Sequence, residues 1–262
     1  VLLAIDIGNT NIVLGLLDGE KLIQHWRLGT QRQYTSDECA AVLRSLFDLA
    51  EIERREVTHT IISCVVPPLL PIFERTCLKS FGAAPLVVGP GMRTGMVIRV
   101  DNPPEVGADR IVNAVAAREL FGAPVIAIDF GTAITFDCVS RDGEFVGGVI
   151  LPGLIVALDA LIDRASKLSS IEIQRPPAVI GTNTTHMLQS GMLYGYAGLI
   201  DQTVERIRAE LGPAQVVATG GLAHLIANEA KSIERVEPFL TLDGLRILFD
   251  RNSESNAGGR EH

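Results

Sequence analysis

Asp6-Ile7-Gly8-Asn9-Thr10-Asn11 ends a short apolar run with an aspartate, a glycine and small polar residues. That order suits phosphate chemistry. Glycine turns the chain tightly, and the backbone N–H groups and short side chains after it can face phosphate oxygens. A carboxylate there repels phosphate unless a cation lies between them. Asp6 therefore either holds Mg²⁺, directly or through water, or braces a plain turn by bonding to backbone. A second copy, Asp129-Phe130-Gly131-Thr132-Ala133, follows in the other half of the chain. Two such hairpins facing each other could grip a triphosphate from both sides. A third turn, Ala218-Thr219-Gly220-Gly221-Leu222-Ala223, reads as strand, glycine pair and helix. Its glycines would let a flat ring approach the backbone. The commoner nucleotide motifs are missing. Gly89-x-Gly91 meets Thr94 where a dinucleotide fingerprint needs glycine, and there is no GxxxxGK[ST].

Gly107-Ala108-Asp109-Arg110 is a different constellation. Gly107 gives backbone freedom, and a helix is predicted over 108–121. Asp109 and Arg110 then fall in its first turn, where N–H groups favour an anionic ligand. Asp109 can accept a proton from an alcohol, and Arg110 can pair with a carboxylate. The plainer reading is a helix-capping aspartate beside an exposed arginine.

The elements that must position these residues can be read from pattern. Strands are predicted over 2–7, 12–17 and 22–28, the last two joined by the turn Asp18-Gly19. Ser36 reads as the N-cap of a helix carrying Val42, Leu46, Leu49 and Ala50 at helical spacing. A strand over 60–66 stops at Pro67-Pro68, a helix runs through Phe81, and a strand covers 85–88. The second half repeats this grammar. Strands are predicted over 125–129, 132–139 and 144–151, with Asp142-Gly143 as the turn. Pro152-Gly153 opens a helix, 184–211 is mostly helical, and 215–218 is a strand. Ala4-Ile5-Asp6-Ile7-Gly8 matches Ala127-Ile128-Asp129-Phe130-Gly131, and Asp18-Gly19-Glu20 matches Asp142-Gly143-Glu144. A duplicated βββαβα unit is the expected cause. The expected division is an N-terminal domain over 1–118, a C-terminal domain over 119–250, and a polar, poorly ordered tail over 251–262.

Composition narrows the function classes. The chain has 262 residues, 47% hydrophobic, 21% charged and 5% aromatic, so aliphatic residues must fill a substantial core. A net charge of −8 with no Lys/Arg cluster argues against nucleic acid and anionic lipid as partners. The apolar stretches over 61–73 and 149–161 are broken by proline or Asp159, short of the ~18 clean residues of a membrane span. Cys39, Cys64, Cys77 and Cys138 form no CxxC pair and read as free thiols of a reducing cytoplasm. The first residues carry no basic flank of a signal peptide. The histidines show no ligand spacing, so no zinc site is expected.

The order of the three turns, with the duplication, resembles the acetate kinase/Hsp70/actin superfamily. There the two hairpins are the phosphate-1 and phosphate-2 loops and the TGG turn is the adenosine motif. The stretch Asp101-Asn102-Pro103-Pro104-Glu105-Val106-Gly107-Ala108-Asp109-Arg110-Ile111-Val112-Asn113-Ala114 is similar to the DNP…VGADRIVNA segment of type III pantothenate kinases. IDIGNT at 5–10, IDFGTAITFD at 128–137, GGVILPGL at 147–154, GTNT at 181–184 and SGMLYGYAGLID at 190–201 agree, and the resemblance spans 2–249.

The resemblance implies two RNase H-like α/β domains, each a mixed sheet flanked by helices, with ATP in the cleft between them. It implies phosphorylation of pantothenate to 4′-phosphopantothenate, the first step of coenzyme A synthesis. Asp109 would be the general base, with Gly107, Ala108 and Arg110 binding pantothenate. Asp6, Ile7, Gly8, Asn9, Thr10, Asn11, Ile12 and Val13 would form the first ATP loop, and Thr132 would contact ATP. Asp129 would ligate a monovalent cation, K⁺ or NH₄⁺, alongside Mg²⁺. Thr184 would contact pantothenate across a homodimer interface. Many relatives carry tyrosine before DNP where this chain has Val100, so the implied pocket lacks that hydroxyl. The alternatives are a kinase for another small hydroxylated acid or sugar, and a non-catalytic or regulatory relative. Intact Asp6, Asp109, Arg110, Asp129 and Thr132 argue against the latter.

Overall fold

The computed structural model describes residues 1–165 and 168–257. In chain order the elements are β1 (Leu2–Ile7), β2 (Asn11–Asp18), β3 (Lys21–Gly29), α1 (Ser36–Leu49), β4 (His59–Cys64), α2 (Leu70–Phe81), β5 (Leu86–Val87) and α3 (Ala108–Phe121). Then come β6 (Val125–Phe130), β7 (Ala133–Val139), β8 (Phe145–Pro152), α4 (Leu154–Arg164), α5 (Thr184–Ser190), α6 (Tyr196–Leu211), β9 (Gln215–Gly220), α7 (Ala223–Ala227), β10 (Arg235–Val236) and α8 (Leu240–Ala257).

The chain forms two compact units. One holds residues 1–97, 101–116 and the chain from Leu240; the other holds Ile98–Val100 and Ala117–Phe239. Each is built on a five-stranded mixed sheet, in the orders β3-β2-β1-β4-β5 and β8-β7-β6-β9-β10. The orders are equivalent, so the duplication read from the two Asp-x-Gly strands is a duplication of topology.

In the first unit β1 runs antiparallel to β2 and parallel to β4. It is a central strand covered on both faces, which is why Leu2–Ile7 is almost wholly apolar. On one face Leu3, Ile5 and Ile7 pack with Cys39, Leu43 and Phe47 of α1 and Phe73 and Cys77 of α2. Fully burying a Leu or Ile side chain contributes about 1.5–3 kcal/mol, so this layer is a main source of stability. The other face carries α8. Ala4 and Gly15 are register partners there, and a Cβ on Gly15 would lie 2.5 Å from Leu242 of α8. The edge strand β3 alternates between exposed and half-buried residues, and its Trp26 packs on Phe47 with ring centroids 5.2 Å apart.

The second unit repeats the plan around a separate core. Ile126, Ile128 and Phe130 of β6 and Val216 and Ala218 of β9 pack with Leu154 and Leu158 of α4 and Ala197, Ile200 and Val204 of α6. Even the irregularities recur: the register shifts between Leu16 and Leu17 and again between Cys138 and Val139. Gly19 and Gly143 take positive φ, 56° and 75°, in the two Asp-Gly turns.

Several local expectations change. The N-cap of α1 is Thr35, not Ser36: its hydroxyl accepts from the Glu38 N–H while the Glu38 carboxylate accepts from the Thr35 N–H, a capping box. β4 ends at Cys64, because Pro67-Pro68 already belongs to the 3₁₀ turn that enters α2. Thr132 stays in the turn, outside β7. The helical stretch from 184 to 211 contains a π turn over Gly191–Gly195. Residues 251–257 are not irregular but form the last turns of α8, which continues to Ala257; the rest of the expected tail, 258–262, lies outside the described residues. α8 also joins the first unit, whereas its sequence position suggested the second, and the division between units falls within α3, after Ala116. The apolar side of α8, with Leu242, Leu245 and Leu248 buried, lies against β1, β2 and β4. The described helices include none long and apolar enough to cross a membrane.

Candidate active site

Asp6 stands next to last on β1, between Val13 on β2 and Ser63 on β4. The chain turns at once. The Gly8 N–H donates to Asn11 O at 3.0 Å. The Thr30 hydroxyl donates to Gly8 O at 2.7 Å, and the Thr30 N–H to Thr10 O at 2.9 Å. Thr30 thus pins both sides of the loop and leaves Asn9 and Thr10 exposed at its tip. The Ile7 and Ile12 side chains are fully buried, so only their backbone can serve a ligand. The residues at the tip, Asn9 and Thr10, present polar groups to solvent.

Asp109 reaches this end of the sheet from α3. The Gly107 carbonyl accepts the N–H groups of Arg110 and Ile111 and so starts the helix. Asp109 Oδ1 accepts the Arg110 N–H at 2.8 Å and folds back over Gly107, where a Cβ would lie 2.5 Å from it. Only glycine permits that approach. The same missing Cβ would lie 3.7 Å from Val65 Cγ1, and the Val65 N–H donates to Ile7 O at 3.0 Å. The start of α3 is therefore beside the end of β4 and, through it, the Asp6 turn. On α3's next turn the Thr241 hydroxyl donates to Asn113 Oδ1 at 2.8 Å, and Gly244 sits against the Val112 backbone, fixing α3 to α8.

Burial pushes the Asp109 carboxyl above its ordinary value, while the Arg110 N–H and charge pull the other way. A raised carboxyl is a better proton acceptor than a solvated one. The cap leaves this chemistry open: the helix start holds one oxygen, and partial desolvation raises the basicity of the group.

The second unit assembles Asp129, Thr132 and Gly220. Asp129 on β6 pairs with Thr135 and Thr219. The Gly131 N–H donates to Ala133 O at 3.1 Å, and the Gly153 N–H to Thr132 O at 3.0 Å. A side chain on Gly153 would overlap the Gly131 and Thr132 carbonyl oxygens. Gly220 has φ +96°, and a Cβ there would lie 2.6 Å from Asp129 Oδ1 and 2.7 Å from Phe130 N. The bare face of Gly220 is thus used by Asp129, a close approach within the protein, where the sequence suggested room for a ligand ring. Gly153, Thr30 and Ser63 escaped the sequence reading. Gly153 had a signal in the Pro152-Gly153 pair; Thr30 and Ser63 had none.

Thr184 opens α5, exposed, behind its cap Asn183, whose side chain accepts from the His186 N–H at 2.9 Å. Val100 lies with Ile98 and Arg99 in the second unit, while Asp101 onward returns to the first. The Arg99 N–H donates to Phe145 O at 2.8 Å and its guanidinium grips Glu144 at 2.6 Å on both oxygens. Cys39, Cys64, Cys77 and Cys138 are free thiols, and burial pushes Cys39 up to about 11 and Cys77 up to about 12.

At each turn taken by itself, the carboxylate of Asp6 or of Asp129 and the carbonyls of its own loop are oxygen donors, the kind that fits hard cations such as Mg²⁺ or K⁺.

Comparison with known proteins identifies the family. The profile of the type III pantothenate kinases matches residues 2–206. A type III pantothenate kinase of Geobacter sulfurreducens is 54% identical over 255 residues, 97% of this chain and 100% of that protein. One of Myxococcus xanthus is 52% identical over 256 residues, again 97% and 100%. Among solved structures, an activator of 2-hydroxyisocaproyl-CoA dehydratase from Clostridium difficile with bound ADPNP has the same fold, with TM-score 0.56 and 13% identity over 100% of this chain and 98% of that one. The profile and the full-length identity to both relatives place the chain in the type III pantothenate kinase family.

Proposed function

We propose that the chain transfers the γ-phosphoryl group of ATP to the primary hydroxyl of pantothenate, giving 4′-phosphopantothenate and ADP in the cytoplasm. The observation that carries this reading is the Asp109 carboxyl, desolvated beside Arg110 at the start of α3 and set at the same sheet end as the Asp6 turn. Asp109 takes the hydroxyl proton as the oxygen attacks phosphorus in line and the bond to ADP breaks. Arg110 pairs with the pantothenate carboxylate, and Gly107 and Ala108 let that substrate approach the backbone. The 6–13 loop and Thr132 hold ATP. Mg²⁺ at Asp6 and a monovalent cation at Asp129 supply charge neutralisation when bound. Thr184 contacts pantothenate in a homodimer.

Coupled ADP release tests the reaction: turnover should require pantothenate, Mg²⁺ and K⁺ or NH₄⁺ together. Pantothenate-independent turnover, or none with all three present, would reject it. At fixed ionic strength, equal rates in Na⁺ and K⁺ would remove the monovalent role from Asp129.

A further inference from the structure

We infer that Tyr196 is a positioning residue for the second phosphate loop: its hydroxyl holds the Pro152 carbonyl and so sets the Gly153 backbone on which Gly131 and Thr132 rest. This role depends on the reading of 129–133 as a phosphate loop. The contacts all lie within the second unit. The Tyr196 hydroxyl, at the start of α6, donates to Pro152 O at 3.3 Å. The Gly153 N–H, next in the chain, donates to Thr132 O at 3.0 Å. Gly153 also lies so close that a Cβ on it would be 2.4 Å from the Gly131 and Thr132 carbonyl oxygens. A shift at Pro152 is thereby passed to the loop within one residue. Pro152 is also a weak point of the strand it ends. It stands opposite Ala133 at the end of β8 and, as proline, has no N–H to give the ladder.

The first unit shows what this brace replaces. Its β3 ends at Gly29 opposite Asn11, and the Thr30 N–H donates to Thr10 O at 2.9 Å, as Gly153 does to Thr132 O. Thr30 then adds its own hydroxyl, which donates to Gly8 O at 2.7 Å. Gly153 holds the same place with no hydroxyl to give, and a side chain there would overlap the loop. The second loop is tied through a side chain of α6 instead. Tyr196 follows directly on the π turn over Gly191–Gly195, and such turns recur at functional sites. Its ring packs on the core of the unit, and burial pushes the hydroxyl above its ordinary value. The hydroxyl therefore keeps its proton at neutral pH and remains a donor.

The test is Tyr196→Phe in the full chain, which removes the hydroxyl and keeps the ring. Affinity for ADPNP with Mg²⁺, measured by calorimetry, should fall about three- to tenfold, the effect of one neutral hydrogen bond. The KM for pantothenate in coupled ADP release should stay unchanged. Amide hydrogen exchange should quicken at Gly131 and Gly153 and stay as in wild type at Gly8 and Thr30 of the first unit. ADPNP binding and Gly153 exchange both like wild type would overturn the inference and leave the kinase reading intact. Faster exchange throughout the second unit, with a lower melting temperature and unchanged ADPNP affinity, would make Tyr196 a packing residue and overturn it too. Quickened exchange confined to Gly131 and Gly153 with unchanged ADPNP affinity would keep the brace but defeat the phosphate reading of this loop, and the positioning role with it.

Discussion

The two units share strand order, register shift and the aspartate that ends the central strand, yet their loops are supported differently. In the first, Gly8 bonds across to Asn11, Thr30 ties the loop from the side, and the tip stays exposed. In the second, the loop is one residue shorter, Gly131 bonds to Ala133, the backbone of Gly153 presses against the loop, and Gly220 presses against the end of β6 that leads into it. The helices after the third strands differ likewise. α1 begins with a side-chain capping box, whereas α4 begins at Gly153 with no side-chain cap. The duplication preserved the Asp-x-Gly turn. What diverged is what surrounds it: the first unit has the Asp109 carboxyl of α3 near its turn, and the second has a glycine backing.

The sharpest way to break this comparison is at Asp109. Asp109→Asn keeps the shape but cannot take a proton, and turnover should fall by ~10²–10⁴. Stability should move the other way. The folded carboxyl lies above its ordinary 3.8, so the native state holds the proton more tightly than the unfolded chain does. The ionised form therefore costs stability at neutral pH, a cost that disappears as pH falls through the folded value. The variant should melt higher than wild type near pH 7, and the two should converge in acid. Near-normal turnover would move the base elsewhere.

The next effect separates the loops. Gly153→Ser introduces a residue that ordinarily caps helices well. Here its Cβ would overlap two loop carbonyls, so it should cost about 3 kcal/mol of stability by overpacking and weaken ADPNP binding. Gly8→Ala meets only Asn11 O, at 3.0 Å, and should cost about 1 kcal/mol. Urea melts of both variants read the difference; equal losses would mean that the second loop is no more tightly backed than the first.

The smallest effect is at the other cap. Thr35→Ala should cost about 1 kcal/mol. Thr35 holds the Glu38 carboxyl below its ordinary 4.5 by backbone and side-chain bonds. That share of the cap is complete above 4.5 and is lost as pH falls through the lowered folded value. Melts of wild type and Thr35→Ala in acid should therefore lie closer together than at neutral pH.

The sequence by itself determined the repeated grammar of the two halves, the Asp-x-Gly turns and the helix beginning at Ala108. These are local signals: apolar runs, turn residues and the spacing of side chains along one element. Even the start of α3 was legible, because a glycine followed by Asp109 and Arg110 has a local reason to begin a helix. Only the tertiary structure decided that α8 returns to the first unit, where Thr241 meets Asn113 across 128 residues. It alone set Gly153 against the second loop and Gly220 against the end of β6, and left Ser63 buried beside Asp6. The physical reason is common to all three. Each depends on which strand becomes a neighbour, or which backbone must approach within a missing Cβ, and pairings between distant segments leave no periodicity in the chain that makes them.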